Sequence, residues 1–341
     1  MYPSSGSRGP TPEIPDLPPI DPDDHYDQYV PPPLPPPHGK LWVQLALLAA
    51  TIFTTTLTGG CHYVSFTTDF ASLNDTGGGQ FGWSMFANPV FYLHGLWYSL
   101  TILAILGCHE MGHYVMCLRY HVDATRPYFL PAPLPLTGTL GAFIRIKSRI
   151  PNKIALFDIG VAGPIAGFIV AVPALFLGLA LSRVDRLPED SSQLMELGEP
   201  LLFRFASWLV WGDVGEGYSI NMHPMAFAAW FGLLATALNL FPIAQLDGGH
   251  ISYAVLGRRS TIVTLIMIGV AIGLTFVSSS WVAWTVLLVA MIVTMGPGHP
   301  PTLDDEQRLD GGRLIVAVIA MVILILCFTP APIGPFVTGT S

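Results

Sequence analysis

The sequence predicts an all-α polytopic membrane protein of about seven transmembrane helices, with a short membrane-associated β element and a disordered Pro-rich N-terminal tail. Three observations predict it. The 341 residues are 51% hydrophobic and only 11% charged, whereas a soluble domain carries about a quarter charged residues. Several apolar runs approach the ~20 residues that cross a bilayer. One further apolar stretch, from Tyr128 to Ile146, holds too much proline and glycine for a long helix.

Residues 1–40 hold 13 prolines and six acids (Glu13, Asp16, Asp21, Asp23, Asp24 and Asp27). Such a segment cannot bury enough apolar surface to fold alone. It is expected to be a disordered cytoplasmic spacer, with partner docking as the lesser reading. It lacks the basic start and short apolar core of a signal peptide, and the Arg-rich, acid-poor character of a transit peptide. The net charge of −8 and the absence of a basic stripe exclude nucleic acid as a partner.

The expected spans are about 41–58, 90–118, 154–182, 223–247, 261–278, 281–295 and 313–328. The fifth and sixth, parted only by Ser278–Ser280, read either as two spans or as a re-entrant pair. Lys and Arg distribute 12 to 3 between the two sides when the N-terminus is cytoplasmic, which sets the orientation and places a multi-pass protein in the cell membrane. Four organisational units follow: the tail (1–40), the first span and an outer loop (41–89), a membrane core (90–260) and C-terminal transmembrane helices (261–341). Within the core, Gly141–Ile146 reads as a short strand lying against the helices, because irregular backbone at membrane depth needs protein or a water cavity around it.

The second span contains HEMGH, residues 109–113. Helical geometry sets His109 and His113 about 40° apart, with Glu110 about 100° from His109. Two imidazoles in that relation reach one metal, and the carboxylate stands where it can act as a base. Ionisable groups in an otherwise apolar span face a bundle interior or cavity and mark function; a polar knot that merely packs helices is the competing reading. Catalytic zinc takes three protein ligands. The best third candidate is Asp247 in NLFPIAQLDGGH, residues 239–250, where Pro242 breaks the fourth span and Gly248–Gly249 ends it. The bland alternative for Asp247 is a helix-end residue in water.

Those two motifs together resemble the site-2 proteases, the intramembrane zinc metalloproteases, whose pattern is HExxH on one helix and NxxPxxxLDG on another. Asn239, Pro242, Leu246, Asp247 and Gly248 match the second motif in full, and the resemblance covers roughly residues 90–260. It implies one Zn2+ held by His109, His113 and Asp247, with Glu110 as general base and Asn239 supporting substrate or the oxyanion. It implies a single-span membrane protein as substrate in the lipid bilayer, and an extended segment near GTLGAFIRI that takes an unwound substrate as an added strand. No PDZ-like insert fits between the motifs, so the compact members are the nearest, the chloroplast-type ones included. Residues 183–222 form an outer loop of no clear class.

Other features carry simpler expectations. The four cysteines form no CxxC pair, and Cys108 is a small apolar residue. Asp158 is read as complementing the dipole of the third span. Gly160, Gly163 and Gly167 are helix-packing positions. His250, which follows LDGG, reads as an exposed loop histidine, with a group supporting the metal ligands as the lesser reading; His94 and His223 are interfacial or core residues, Gly77–Gly79 is a loop, and His299 has no assigned role. Two further readings compete with the peptidase. A secondary transporter would show internal repeats and paired broken helices, and the sequence has one broken helix and no repeat. A metal-binding scaffold without protease activity would not need Glu110.

Overall fold

A computed structural model describes residues 40–68, 83–188 and 195–335; the Pro-rich tail and Gly77–Gly79 lie outside them. The described helices are α1 (Leu41–Thr67), α2 (Pro89–Arg119), α3 (Lys153–Leu181), α4 (Leu201–Trp211), α5 (Pro224–Leu240), α6 (Asp247–Leu256), α7 (Ser260–Leu274), α8 (Ser280–Met295) and α9 (Gly311–Cys327). Four segments are long and apolar enough to cross a membrane: α1, α2, α3 and the 28-residue run Asp247–Leu274 that joins α6 to α7. Helices α4, α5, α8 and α9 are shorter and apolar. The protein is a mostly helical membrane protein, as its composition predicts.

Helices α1, α2, α3 and α5 pack antiparallel in succession. Gly95 of α2 has no room for a side chain, because a Cβ there would strike the Thr56 carbonyl of α1. The central core is made by Tyr98, Ile102 and Ile105 of α2, Leu156 and Leu175 of α3, and Trp230 and Leu233 of α5. Large apolar residues point the other way on the same helices, among them Phe53, Leu100 and Ile169. That outward apolar surface matches hydrocarbon, not water.

Helix α1 is polar on its buried side. Gln44, Thr51, Thr55 and Thr58 are buried, and several of them serve a segment that has no helix of its own. Gln44 Nε2 donates to the Arg126 carbonyl (3.1 Å), Thr58 Oγ1 to that of Leu134 (3.3 Å) and His62 Nε2 to that of Leu136 (3.0 Å). The Tyr98 hydroxyl of α2 donates to Thr137 (3.0 Å). Backbone carbonyls in a low-dielectric layer must find such partners.

The segment so held contains the hairpin of β1 (Tyr128–Pro131) and β2 (Thr139–Phe143). The strand expected at Gly141–Ile146 thus begins two residues earlier and ends at Phe143, leaving Ile146 in an isolated bridge with Ala124. Residues 183–222, which the sequence left without a class, hold β3 (Arg183–Arg186), β4 (Met195–Leu197), α4 and β5 (Tyr218–Asn221). Strand β3 pairs with β5, and β4 pairs with β6 (Ile333–Pro335). His223 accepts the Met225 N–H at the start of α5 (3.2 Å). Accepting that N–H requires a lone pair on Nδ1, so the ring proton sits on Nε2.

Helix α1 runs to Thr67, past the end near residue 58 that the sequence suggests, and two further boundary expectations change. Helix α5 stops at Leu240 rather than running to 247, and Asp247 opens α6 instead of closing the helix before it. Gly248 and Gly249 accordingly sit inside α6. Asp158 does not cap α3: Asn152 does, its Oδ1 accepting from the Ala155 N–H (2.9 Å). Asp158 lies in the second turn and accepts from Arg313 Nε (2.9 Å) and Nη2 (2.7 Å) of α9, as well as from the Tyr120 hydroxyl. A planar guanidinium engages a carboxylate in this two-pronged way, so the ends of α2, α3 and α9 are tied together.

Candidate metal centre

Three ligand atoms from two distant parts of the chain converge. His109 and His113 lie in the interior of α2, one turn apart, and both are buried. Their Nε2 atoms are 3.1 Å from each other. Asp247 Oδ2 stands 3.2 Å from His109 Nε2 and 3.3 Å from His113 Nε2. Among the described residues this is the one group of three or more His, Cys, Asp or Glu side chains able to share a metal ion.

The triangle fits zinc. Tetrahedral zinc with bonds of about 2.0–2.1 Å sets its donors about 3.3 Å apart, which is the spacing found here. Two nitrogens and one carboxylate oxygen are a zinc donor set, with a fourth position left over. The His113 tautomer is right for it. Its Nδ1 lies 2.7 Å from the Ile159 carbonyl, which can only accept, so Nδ1 carries the proton and Nε2 offers its lone pair.

Asp247 arrives through a break in the chain. Pro242 cannot supply an N–H to a continuing helix, and α5 ends at Leu240. The connection passes through Ala244, which is buried with φ of +42° and whose N–H donates to Thr264 Oγ1 (3.1 Å). Helix α6 then begins with Asp247 itself, its carboxylate in the first turn, where the helix dipole favours a negative charge. Below α6 runs the loop 296–310. Tyr253 donates to Asp305 (2.6 Å), Thr302 Oγ1 donates to the same carboxylate (2.7 Å), and Lys153 Nζ donates to the Asp305 carbonyl (2.6 Å). These bonds fix α6, and with it Asp247, against α3.

Glu110 is buried beside the triangle, with Oε1 4.0 Å from His109 Nε2. Its carboxylate faces the backbone at Ile144, just past β2. Asn239, in the last turn of α5, has its side-chain amide 3.3 Å from His109 Nε2. All five residues singled out in the sequence therefore lie together.

Sequence reasoning missed what walls the site. Gly160, Gly163 and Gly167 are more than helix-packing positions. A Cβ at Gly160 would meet His250, one at Gly167 would meet His109 at 3.2 Å, and one at Gly163 would run into Nε2 of His113. Their shared helical face is the floor under both imidazoles. Spacing alone gave the face; only the antiparallel packing of α3 on α2 says what it touches. Gly163→Ala should weaken zinc binding at least about tenfold by displacing that ring, read by competition with a chromogenic chelator. Wild-type affinity in the variant would show that the ring is not confined there.

His250 is corrected from an exposed loop histidine to a half-buried residue of α6. Its Nδ1 has no hydrogen-bond partner among the described residues, and its ring meets His299 edge-on with centroids 4.8 Å apart. His299 donates from Nδ1 to the Pro300 carbonyl (2.6 Å). Burial holds its pKa below the ordinary histidine range, so a neutral ring packs under α6.

Comparison with known proteins adds the following. The profile described as peptidase family M50 matches residues 97–278. The "Probable zinc metalloprotease EGY2, chloroplastic" of Oryza sativa subsp. indica is 29% identical over 256 residues, 74% of this chain and 46% of that protein. The corresponding EGY1 of Arabidopsis thaliana is 29% identical over 239 residues, 67% of this chain and 42% of that protein. The chain thus spans less than half the length of these curated relatives. No solved structure matches it.

Proposed function

The chain belongs to peptidase family M50, the site-2 protease family its two motifs resemble, and from that premise we propose that it is an intramembrane zinc metalloendopeptidase. It cleaves transmembrane segments of single-span membrane proteins, with residues 90–260 as the catalytic core. The observation that carries the reading is the His109–His113–Asp247 triangle with Glu110 beside it, at spacings that suit zinc. The N-terminus faces the cytoplasm in this reading, in line with the Lys and Arg bias.

Zinc, when bound, supplies a Lewis acid that lowers the pKa of water to about 7. Glu110 takes the proton from the attacking water and later passes it to the departing amine. Asn239 offers an amide N–H to the oxygen on which negative charge develops. Strand β2 has β1 on one edge and, among the described residues, no strand on the other. That edge takes the substrate as an added extended strand. A helical substrate keeps its carbonyls in internal hydrogen bonds, so unwinding onto β2 exposes the bond to be cut. Glu110 lies beside the residue that follows β2, so the base and the unwound substrate meet in one place.

The test uses the full chain in detergent with a single-span model substrate. Cleavage should stop when a chelator strips one zinc per chain and return when zinc is restored. Undiminished cleavage by metal-free protein would sink the proposal.

A further inference from the structure

A cavity of about 920 Å³ opens at the opposite end of the bundle from the metal centre. Its floor is aromatic, with Phe203 of α4 and Phe227 and Trp230 of α5 all buried. The whole of β4 and the whole of β5 also line it. Among the described residues β4 pairs only with β6, and β5 only with β3. Among the described residues each strand therefore has a second edge that carries no strand, and residues of both strands line one cavity. Strand edges of this kind take up an extended peptide through main-chain hydrogen bonds, while pockets beside them read alternate side chains.

The charge of the lining narrows the occupant. Its ionised side chains are Glu196, Glu199 and Asp213 against Arg204, and Arg204 is occupied by Glu199 at 3.4 Å. Glu196 and Asp213 remain, both exposed at the rim. A phospholipid would fill the aromatic floor but bring its phosphate against two carboxylates. A peptide with basic residues between apolar ones satisfies the rim, the floor and the strand edges at once.

We propose that this cavity docks an extended, basic juxtamembrane segment of the substrate; the proposal rests on the peptidase reading and names where that substrate is first held. The distance to the metal centre is consistent with a single engaged chain. His62 lines the cavity and packs on Tyr98, ring centroids 5.2 Å apart. Tyr98 is eleven residues from His109 on α2, about 16 Å at 1.5 Å per residue. A segment held in the cavity has about five extended residues, at roughly 3.3 Å each, before it reaches the metal.

The test reads binding without cleavage. The full-length Glu110→Gln chain in detergent is titrated with a fluorescein-labelled ten-residue peptide that alternates lysine with valine and phenylalanine. The same peptide with glutamate for lysine is the comparison. The lysine peptide should bind saturably, and the added pair Glu196→Lys and Asp213→Lys should weaken it about tenfold or more while admitting the glutamate peptide. Zinc content equal to that of the parent shows that the charge-reversed chain is folded; if it is not, Glu196→Gln with Asp213→Asn carries the same comparison. No saturable binding, or binding indifferent to the rim charges, overturns the docking site. So does a co-purified phospholipid that the lysine peptide cannot displace. The peptidase reading fails separately, through the zinc and cleavage assay.

Discussion

Glu110→Gln is expected to keep one zinc per chain and to lose cleavage by at least about 10²–10⁴-fold, the contribution of a positioned general base. The substitution is nearly isosteric. The three atoms that frame the metal, on His109, His113 and Asp247, are untouched. What disappears is an acceptor for the proton of the attacking water. Zinc by atomic absorption and turnover of a single-span substrate are measured on the same preparation. Cleavage at the wild-type rate would remove Glu110 from the mechanism, and loss of zinc would make it a ligand instead.

Asp247→Ala is expected to lose both metal and activity. Its Oδ2 is the third corner of the triangle, 3.2–3.3 Å from both imidazole nitrogens. Without it the metal keeps two neutral nitrogen ligands and no anionic one. Loss of a mere hydrogen-bond partner of a zinc ligand costs about 10–100-fold in affinity, so loss of the ligand should exceed about 100-fold. Chelator competition gives the affinity, and circular dichroism shows whether the helices persist. Wild-type zinc affinity in this variant would mean that Asp247 is not the third ligand.

Much of the site was legible because its chemistry is local. HEMGH gives both imidazoles and the carboxylate from helical spacing alone, and Asp247 follows from the second motif. The Ile159 carbonyl that sets the His113 tautomer is 46 residues away and leaves no mark, since every residue has a carbonyl. The same holds for the glycine face of α3, whose partners are fixed by packing.

The fold was legible in kind, because hydrocarbon-length apolar runs are strong signals. It was less so at the break after Leu240. Pro242 announced that break, but not that Ala244 would turn the chain through a left-handed conformation and make Asp247 the first residue of a helix. Asp158 misled because an acid near a helix start suits the dipole; its partner Arg313 lies 155 positions on.

The donors that α1 aims at residues 126–136 bear on where the working unit begins. The family match starts at residue 97, which would make the first helix a dispensable tether. Yet Gln44, Thr58 and His62 donate to the carbonyls of Arg126, Leu134 and Leu136, in a layer where a carbonyl left bare costs several kcal/mol. They also hold the limb that carries β2, hence the ledge on which a substrate would be stretched. Helix α1 is in this sense the back half of a vice: cut away, it would leave the jaws with their chemistry intact and nothing to brace the workpiece.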